Sequence, residues 1–147
     1  MVGEIRDGET AELDINAELT GHLVLSTLHT NSAVEAIPRL LSMGVSPYTF
    51  APALRAVLAQ RLVRTLAEDK KGTAYDPTSP DTYAGRIVLP ELVKVSGELR
   101  DAILTQSTQE EIEKIARKGG YVPMKEWGNI LVEKNITTKE EVERVTS

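Results

Sequence analysis

The chain has 147 residues, enough for one domain or one domain with a small appendage, and 41% of them are hydrophobic, which supports a buried core and excludes a disordered chain. Phe50, Trp127 and four tyrosines are the only aromatic residues, so that core is mostly aliphatic. A net charge of -5 argues against broad nucleic-acid binding, the lack of cysteine excludes disulfides and thiolate metal sites, and no apolar run approaches the length that spans a bilayer.

Met1-Val2 reads as the stub of a buried strand, so the chain is expected to be a fragment. The charged start Gly3-Glu4-Ile5-Arg6-Asp7 does not fit a signal peptide. Over residues 8–20, Ala11, Ile15 and Leu19 recur at i and i+4 and predict one face of a helix, ended by Thr20-Gly21. Residues 22–28 form a short, largely apolar run and read as a buried strand. Thr30 or Asn31 caps the next helix, whose apolar face is Val34, Ile37 and Leu41. Pro38 should bend that helix or delay its start, and Gly44 should stop it. Ser46-Pro47 opens a helix expected to run toward Gln60, with Pro52 disturbing its first turn; residues 61–66 then read as a strand.

Residues 67–83 are polar, without an apolar period, and read as an exposed loop. Two short strand-like runs, 86–89 and 91–95, follow around Pro90. Ser96 can cap a helix with Leu99 and Ile103 inward. Thr108-x-x-Glu111 is a capping box before Ile112, Ile115 and Ala116, and Gly119-Gly120 closes that helix. Residues 123–134 form a further helix, and Thr138-x-x-Glu141 is a second capping box before Val142 and Val145. Strand–helix alternation followed by a helical cluster argues for an α/β sheet core with a small C-terminal helical subdomain.

Three segments carry candidate chemistry. An acid at the end of a buried strand, such as Glu4, can hold Mg²⁺ through water or polarise an attacking water, as phosphoryl transfer requires. Solvated charges at a strand end are the plainer explanation of that pentapeptide. Residues 22–31 run into His29-Thr30-Asn31, which places a polar cluster at a strand's C-terminal end, where ligands bind in open α/β sheets. His29 can donate to a phosphate oxygen with help from Thr27 or Thr30; a lone histidine is also often just a capping or core-edge residue. Gln60 and Arg61 fall at the expected helix-to-strand junction, where a guanidinium can bridge a phosphate or a neighbouring carboxylate, or simply form a surface ion pair.

Taken in order, these segments resemble the secretion ATPase family, whose members power type II secretion and type IV pilus assembly. Val2-Gly3-Glu4-Ile5-Arg6-Asp7, with Glu9-Thr10-Ala11-Glu12 behind it, is similar to the family's Walker B segment. Leu19-Thr20-Gly21-His22, continuing to Leu28-His29-Thr30-Asn31, is similar to its His box, and Val57-Leu58-Ala59-Gln60-Arg61-Leu62-Val63-Arg64 matches the segment that follows. Tyr83-Ala84-Gly85-Arg86-Ile87 and Ile136-Thr137-Thr138-Lys139-Glu140-Glu141-Val142 extend the likeness, the latter toward the assembly and secretion branch.

The resemblance implies a partial RecA-like ATPase domain: its C-terminal half over residues 1–66, a loop at 67–83, further strands at 84–95 and a helical subdomain over 96–147. It implies Glu4 as the Walker B acid, acting on Mg²⁺ through water or on the attacking water, and His29 near the γ-phosphate. Arg6, Asp7, Thr27, Thr30, Gln60 and Arg61 would be supporting nucleotide contacts. ATP and Mg²⁺ would belong to the full-length protein, a homo-hexamer in the cytoplasm, peripheral at the inner membrane through platform and docking proteins. Neither nucleic acid nor direct membrane insertion is expected.

Two departures qualify this. The chain has no Gly-x-x-x-x-Gly-Lys-[Ser/Thr] loop to cradle phosphates, so it is expected to be inactive alone and to bind ATP weakly or not at all. Residues 67–83 carry no cysteine where many relatives hold a four-cysteine zinc insertion, so no such zinc is expected. The alternative is a non-catalytic interaction module that docks to the same machinery; an unrelated α/β binding domain would require the ordered match to be chance. Loss of preceding strands would leave an apolar face around Leu23, Leu25 and Val63, with self-association as its consequence.

Overall fold

The computed structural model describes residues 3–147, so the strand stub expected at Met1-Val2 lies outside the described residues. Contacts divide the chain into two compact units, Met1–Leu58 with Leu92–Tyr121 and Ala59–Glu91 with Val122–Ser147. The helices of the C-terminal third are thereby divided between them.

In the first unit, helix α1 (Gly8–Leu19) begins where Asp7 accepts a hydrogen bond from the Thr10 amide at 2.8 Å, an N-cap that satisfies one of the helix's orphan donors. Its buried residues are Ala11, Asp14 and Ile15, whereas Leu19 is exposed. Helix α2 (Ala36–Ser42) starts later than the Thr30 or Asn31 cap expected, because Pro38 fits only near a helix start, where a missing N–H costs nothing. Glu35 is its N-cap residue, and the Glu35 carboxylate accepts instead from the Asn31 amide at 2.9 Å. Val34, Ile37 and Leu40 are buried. Helix α3 (Pro47–Ala53) opens on Ser46-Pro47 as expected but ends at Ala53 rather than running to Gln60. Pro52 removes one of its hydrogen bonds, and from Ala56 onward exposure alternates residue by residue, the period of a strand.

Helix α3 packs on α1 and on α4 (Gly97–Leu104), and α4 packs on α5 (Gln109–Lys118). Ser96 caps α4 by accepting from the Leu99 amide, and α5 carries both halves of the Thr108–Glu111 capping box. Leu99, Ile103 and Ile112 are fully buried, as their spacing predicts. Residues 22–28 are not the buried strand expected. Among the described residues they make a single parallel bridge, Thr27 to Glu4, and Leu23 and Leu25 are 84% and 59% exposed. A buried parallel strand needs ladder partners on both edges and cover on both faces, and among the described residues this segment has neither.

Strands β1 (Ala56–Leu66) and β2 (Tyr83–Lys94) form a two-stranded antiparallel ribbon, closed next to its connection by Ala67 N donating to Thr82 O at 2.9 Å. Pro90 sits inside β2 and does not divide it in two; in a ribbon each strand has one edge outside the ladder, where a missing N–H is tolerated. Val63 is not on an exposed face: it is fully buried with Leu89 and Met124, flanked by Ala59, Leu131 and Val145, in the core of the second unit. Helices α6 (Met124–Glu133) and α7 (Lys139–Thr146) complete that unit. They approach so closely that a Cβ on Gly128 would collide with both methyl groups of Val142.

The second capping box is only half made. Thr138 accepts from the Glu141 amide at 3.2 Å, but the Glu141 carboxylate is fully buried and turned to two arginines. It accepts from the Arg64 backbone N–H at 2.9 Å, from Arg64 Nε and Nη2 at 3.0 and 2.8 Å, and from Arg144 Nε and Nη2 at 2.9 and 2.7 Å. The Arg64 guanidinium lies 4.0 Å from the centre of the Tyr83 ring, and the Tyr83 hydroxyl is 2.9 Å from Thr138 Oγ1. Thr137 donates to the Arg64 carbonyl at 2.7 Å. Burial pushes the Glu141 carboxyl up, but the hydrogen bonds from Arg144 and Arg64 outweigh it and hold it at about 2.

A carboxyl held at about 2 in the fold against an ordinary 4.5 stabilises fully above pH 4.5, and this contribution is lost as pH falls through about 2. Acid titration followed by circular dichroism should therefore show stability falling across that window in the wild type and a flatter profile in Glu141→Gln. Glu141→Ala, which removes the shared acceptor of two half-exposed arginines, is expected to cost about 1.5–3 kcal/mol in urea unfolding. Gly128→Ala should cost about 1–3 kcal/mol by the same measurement, through overpacking against Val142.

Candidate functional site

Glu4 sits in the short extended segment that enters α1. Its bridge to Thr27 and the bond from Ile5 N to Thr27 O, 2.8 Å, set this segment beside residues 26–29. That register brings Glu4 and His29 together across 25 residues of sequence. Glu4 Oε1 lies 2.9 Å from His29 Nε2, and Glu4 Oε2 accepts from Arg6 Nε and Nη2 at 2.9 and 2.8 Å. The Glu4 side chain is 27% exposed and the His29 ring 93%. The hydrogen bond from Arg6 holds the Glu4 carboxyl below the usual range against the opposing effect of burial, and the charges of Arg6 and His29 add to it. The arrangement is an ionised carboxylate, oriented on both oxygens, with an imidazole standing in solvent beside it.

The other expected residues divide by role and by place. Asp7 is occupied as the cap of α1, and the Thr10 amide holds its carboxyl low. Thr27 supplies the backbone of the bridge, and Thr30 Oγ1 donates to Ser32 O at 3.0 Å. Gln60 and Arg61 lie inside β1, not at a helix-to-strand junction, and they belong to the second unit while Glu4, Arg6, Asp7, Thr27, His29 and Thr30 belong to the first. Gln60 is exposed, and Arg61 Nη1 donates to its carbonyl at 3.4 Å.

The sequence reading missed one pair. Asp14, on α1, is 6% exposed and accepts a hydrogen bond from Ser26 Oγ, and the same hydroxyl lies 3.2 Å from the Gly3 carbonyl. The signal available was a charged residue on the buried stripe of a helix, between Ala11 and Ile15.

The profile of the family described as "Type II/IV secretion system protein" matches residues 1–144. Among curated relatives, the chain is 42% identical to "Type II secretion system protein E" of Pseudomonas aeruginosa, covering 99% of the chain and 34% of that protein. It is 41% identical to "Type IV pilus assembly ATPase PilB" of the same organism, covering 99% of the chain and 30% of the relative. The chain thus spans about a third of the length of the relatives it matches. A solved structure, the Legionella pneumophila ATPase DotB, superposes with a TM-score of 0.73 at 27% identity over 99% of the chain and 37% of that structure. The fold is that of part of a RecA-like ATPase domain.

Because Arg6 is the main influence on Glu4, Arg6→Ala should raise the Glu4 titration midpoint toward the ordinary carboxylate range. Carbon-detected NMR of the side-chain carboxyl reads this directly, and an unmoved midpoint would contradict the ion pair described.

Proposed function

Because the chain belongs to the type II/IV secretion system protein family, we propose that it is part of a motor ATPase that couples ATP hydrolysis to protein secretion or to assembly of a type IV pilus or pseudopilus. The observation that carries this reading is the Glu4–His29 pair, held at 2.9 Å with Arg6 on the other carboxylate oxygen.

In this reading Glu4 orients the attacking water and takes up its proton at Oε1 or Oε2, for which an ionised carboxylate is required. His29 donates to the γ-phosphate as negative charge redistributes over its oxygens. Arg6 fixes the Glu4 carboxylate, Asp7 fixes the start of α1, Thr27 fixes the bridge, and Thr30 completes the turn after His29. Gln60 and Arg61 act as further contacts to nucleotide or to a neighbouring subunit.

The donor set fits Mg²⁺. That ion keeps several waters and needs only one or two carboxylates together with substrate phosphates, and Glu4 offers one ionised carboxylate. When bound, Mg²⁺ would neutralise charge on the phosphate oxygens, with Glu4 holding one of its waters. The full-length protein works as a homo-hexamer in the cytoplasm, peripheral at the inner membrane through platform and docking proteins.

Within this chain there is no phosphate-cradling glycine-rich loop with its lysine, so turnover belongs to the longer protein. The purified 147-residue chain should show no steady ATP hydrolysis and only weak nucleotide binding by calorimetry. In a full-length protein carrying this segment, Glu4→Gln should lower turnover about a hundredfold or more. Hydrolysis by the chain alone that survives Glu4→Gln, or a full-length Glu4→Gln variant with unchanged turnover, would overturn this assignment and favour a non-catalytic docking module.

A further inference from the structure

Helix α1 buries an ionisable side chain where an aliphatic one would pack. Asp14 stands on the same stripe as Ala11 and Ile15, in a helix interior, where aspartate is a weak helix former and an unpaired carboxylate is costly. It accepts a hydrogen bond from the Ser26 hydroxyl, on the segment that pairs with Glu4. That hydroxyl also reaches the Gly3 carbonyl, the residue next to Glu4, at 3.2 Å. A hydroxyl carries one proton, so Asp14 and Gly3 O share it as competing acceptors. The result is a chain of contacts from α1 through Ser26 to the backbone that carries Glu4.

We propose that Asp14 and Ser26 are positioning residues for the Glu4–His29 pair, setting the depth and register of the Glu4 segment against residues 26–29. Neither touches the reacting atoms; both act through the backbone at Gly3. Among the described residues the pairing they support is sparse: besides the Ser26 contact, the Glu4 segment is held to its neighbour by one bridge, of which the Ile5–Thr27 bond is part, and by the Glu4–His29 side-chain contact. His29 is almost wholly in solvent, with no packing of its own to fix it. The separation of the two groups therefore follows the backbone register, and an ångström of slippage is enough to remove most of a proton-transfer or phosphate contact. The proposal rests on the ATPase reading for its consequence in catalysis, but not for its consequence in structure.

The two levels are tested separately. In the 147-residue chain, Ser26→Ala and Asp14→Ala should speed hydrogen exchange of the Ile5 amide about tenfold or more, while the Phe50 and Leu99 amides of the same unit keep their protection. Ser26→Thr, which keeps the hydroxyl, and Asp14→Asn, which keeps an acceptor oxygen, should restore Ile5 protection. In a full-length protein carrying the segment, Ser26→Ala and Asp14→Ala should lower kcat about tenfold at unchanged KM for ATP, with Ser26→Thr and Asp14→Asn within a few-fold of wild type. Glu4→Gln is the control: unchanged turnover there refutes the ATPase reading without touching the exchange result. Unchanged Ile5 exchange in Ser26→Ala, or exchange that rises equally at Phe50 and Leu99, overturns the positioning role. Should either alanine variant fail to fold, the Ser26 hydroxyl proton of the unaltered chain decides the matter: slow exchange by NMR supports the contact, and solvent-rate exchange overturns it.

Discussion

The second unit depends on the buried carboxylate of Glu141. Its apolar core includes Val63, Leu89 and Met124, and the ribbon and helix α7 meet around Glu141. A lone ionised carboxylate at full burial would not remain charged, and burial alone pushes Glu141 toward neutrality. Five N–H donors from Arg64 and Arg144 reverse that balance. Each donor comes with its own constraint. Arg64 is fixed by its place in β1 and by the Tyr83 ring, Tyr83 by Thr138, and the Arg64 carbonyl by Thr137. The knot therefore sets the register of α7 against β1 more narrowly than apolar contact would, because hydrogen bonds have direction and methyl groups do not.

The first unit uses the same chemical elements with partners that stand in solvent. Glu4 also carries an arginine on one oxygen, and its carboxyl is also held low. Its histidine, however, stands in water, where a pair contributes little to stability because solvent screens it and side-chain entropy opposes it. A carboxylate whose partners are screened is cheap to redirect. It can exchange one partner for a water or a ligand without the several kcal/mol that uncovering Glu141 would cost. Burial thus separates the two acids: one is committed to the fold, and the other remains available for chemistry.

Local signals in the sequence were legible and tertiary ones were not. Ser96, Thr108 and Thr138 were readable as caps because a cap is satisfied within three residues of itself. The start of α3 at Ser46-Pro47 and the stop at Gly44 are equally local. The end of α3 was misplaced because a helix and a strand compete for residues 54–60, and the ladder with β2 decides in favour of the strand. Residues 22–28 look like a buried strand because apolar content records what a segment prefers to bury, and the single bridge at Thr27 shows how little of that preference the described residues meet. Glu141 illustrates the limit most sharply. Its position in Thr138-x-x-Glu141 was recognised, yet its carboxylate abandons the local donor for arginines supplied by the fold. The same reasoning applies to the candidate site: Glu4 and His29 were recognisable as residue types in motifs, whereas their 2.9 Å contact follows from a bridge that no local pattern announces.

Asp14 completes this contrast, because among the described residues it is the one buried acid of the first unit, and its placement works against its own helix. Aspartate favours helix starts, and seven residues earlier Asp7 fills that role. In the interior, Asp14 forfeits helix propensity and apolar contact together, so its position needs a compensating bond. Ser26 supplies one, and in doing so joins α1 to the strand-like segment that ends at His29. Asp7 caps the helix, which starts four residues after Glu4 in sequence, and Asp14 ties its middle through Ser26 to the Gly3 carbonyl beside Glu4. His29, almost wholly in solvent, has no packing to define its geometry against Glu4. Where geometry must be defined nonetheless, it has to come from the layer beneath, and Asp14 and Ser26 are the polar groups in that layer.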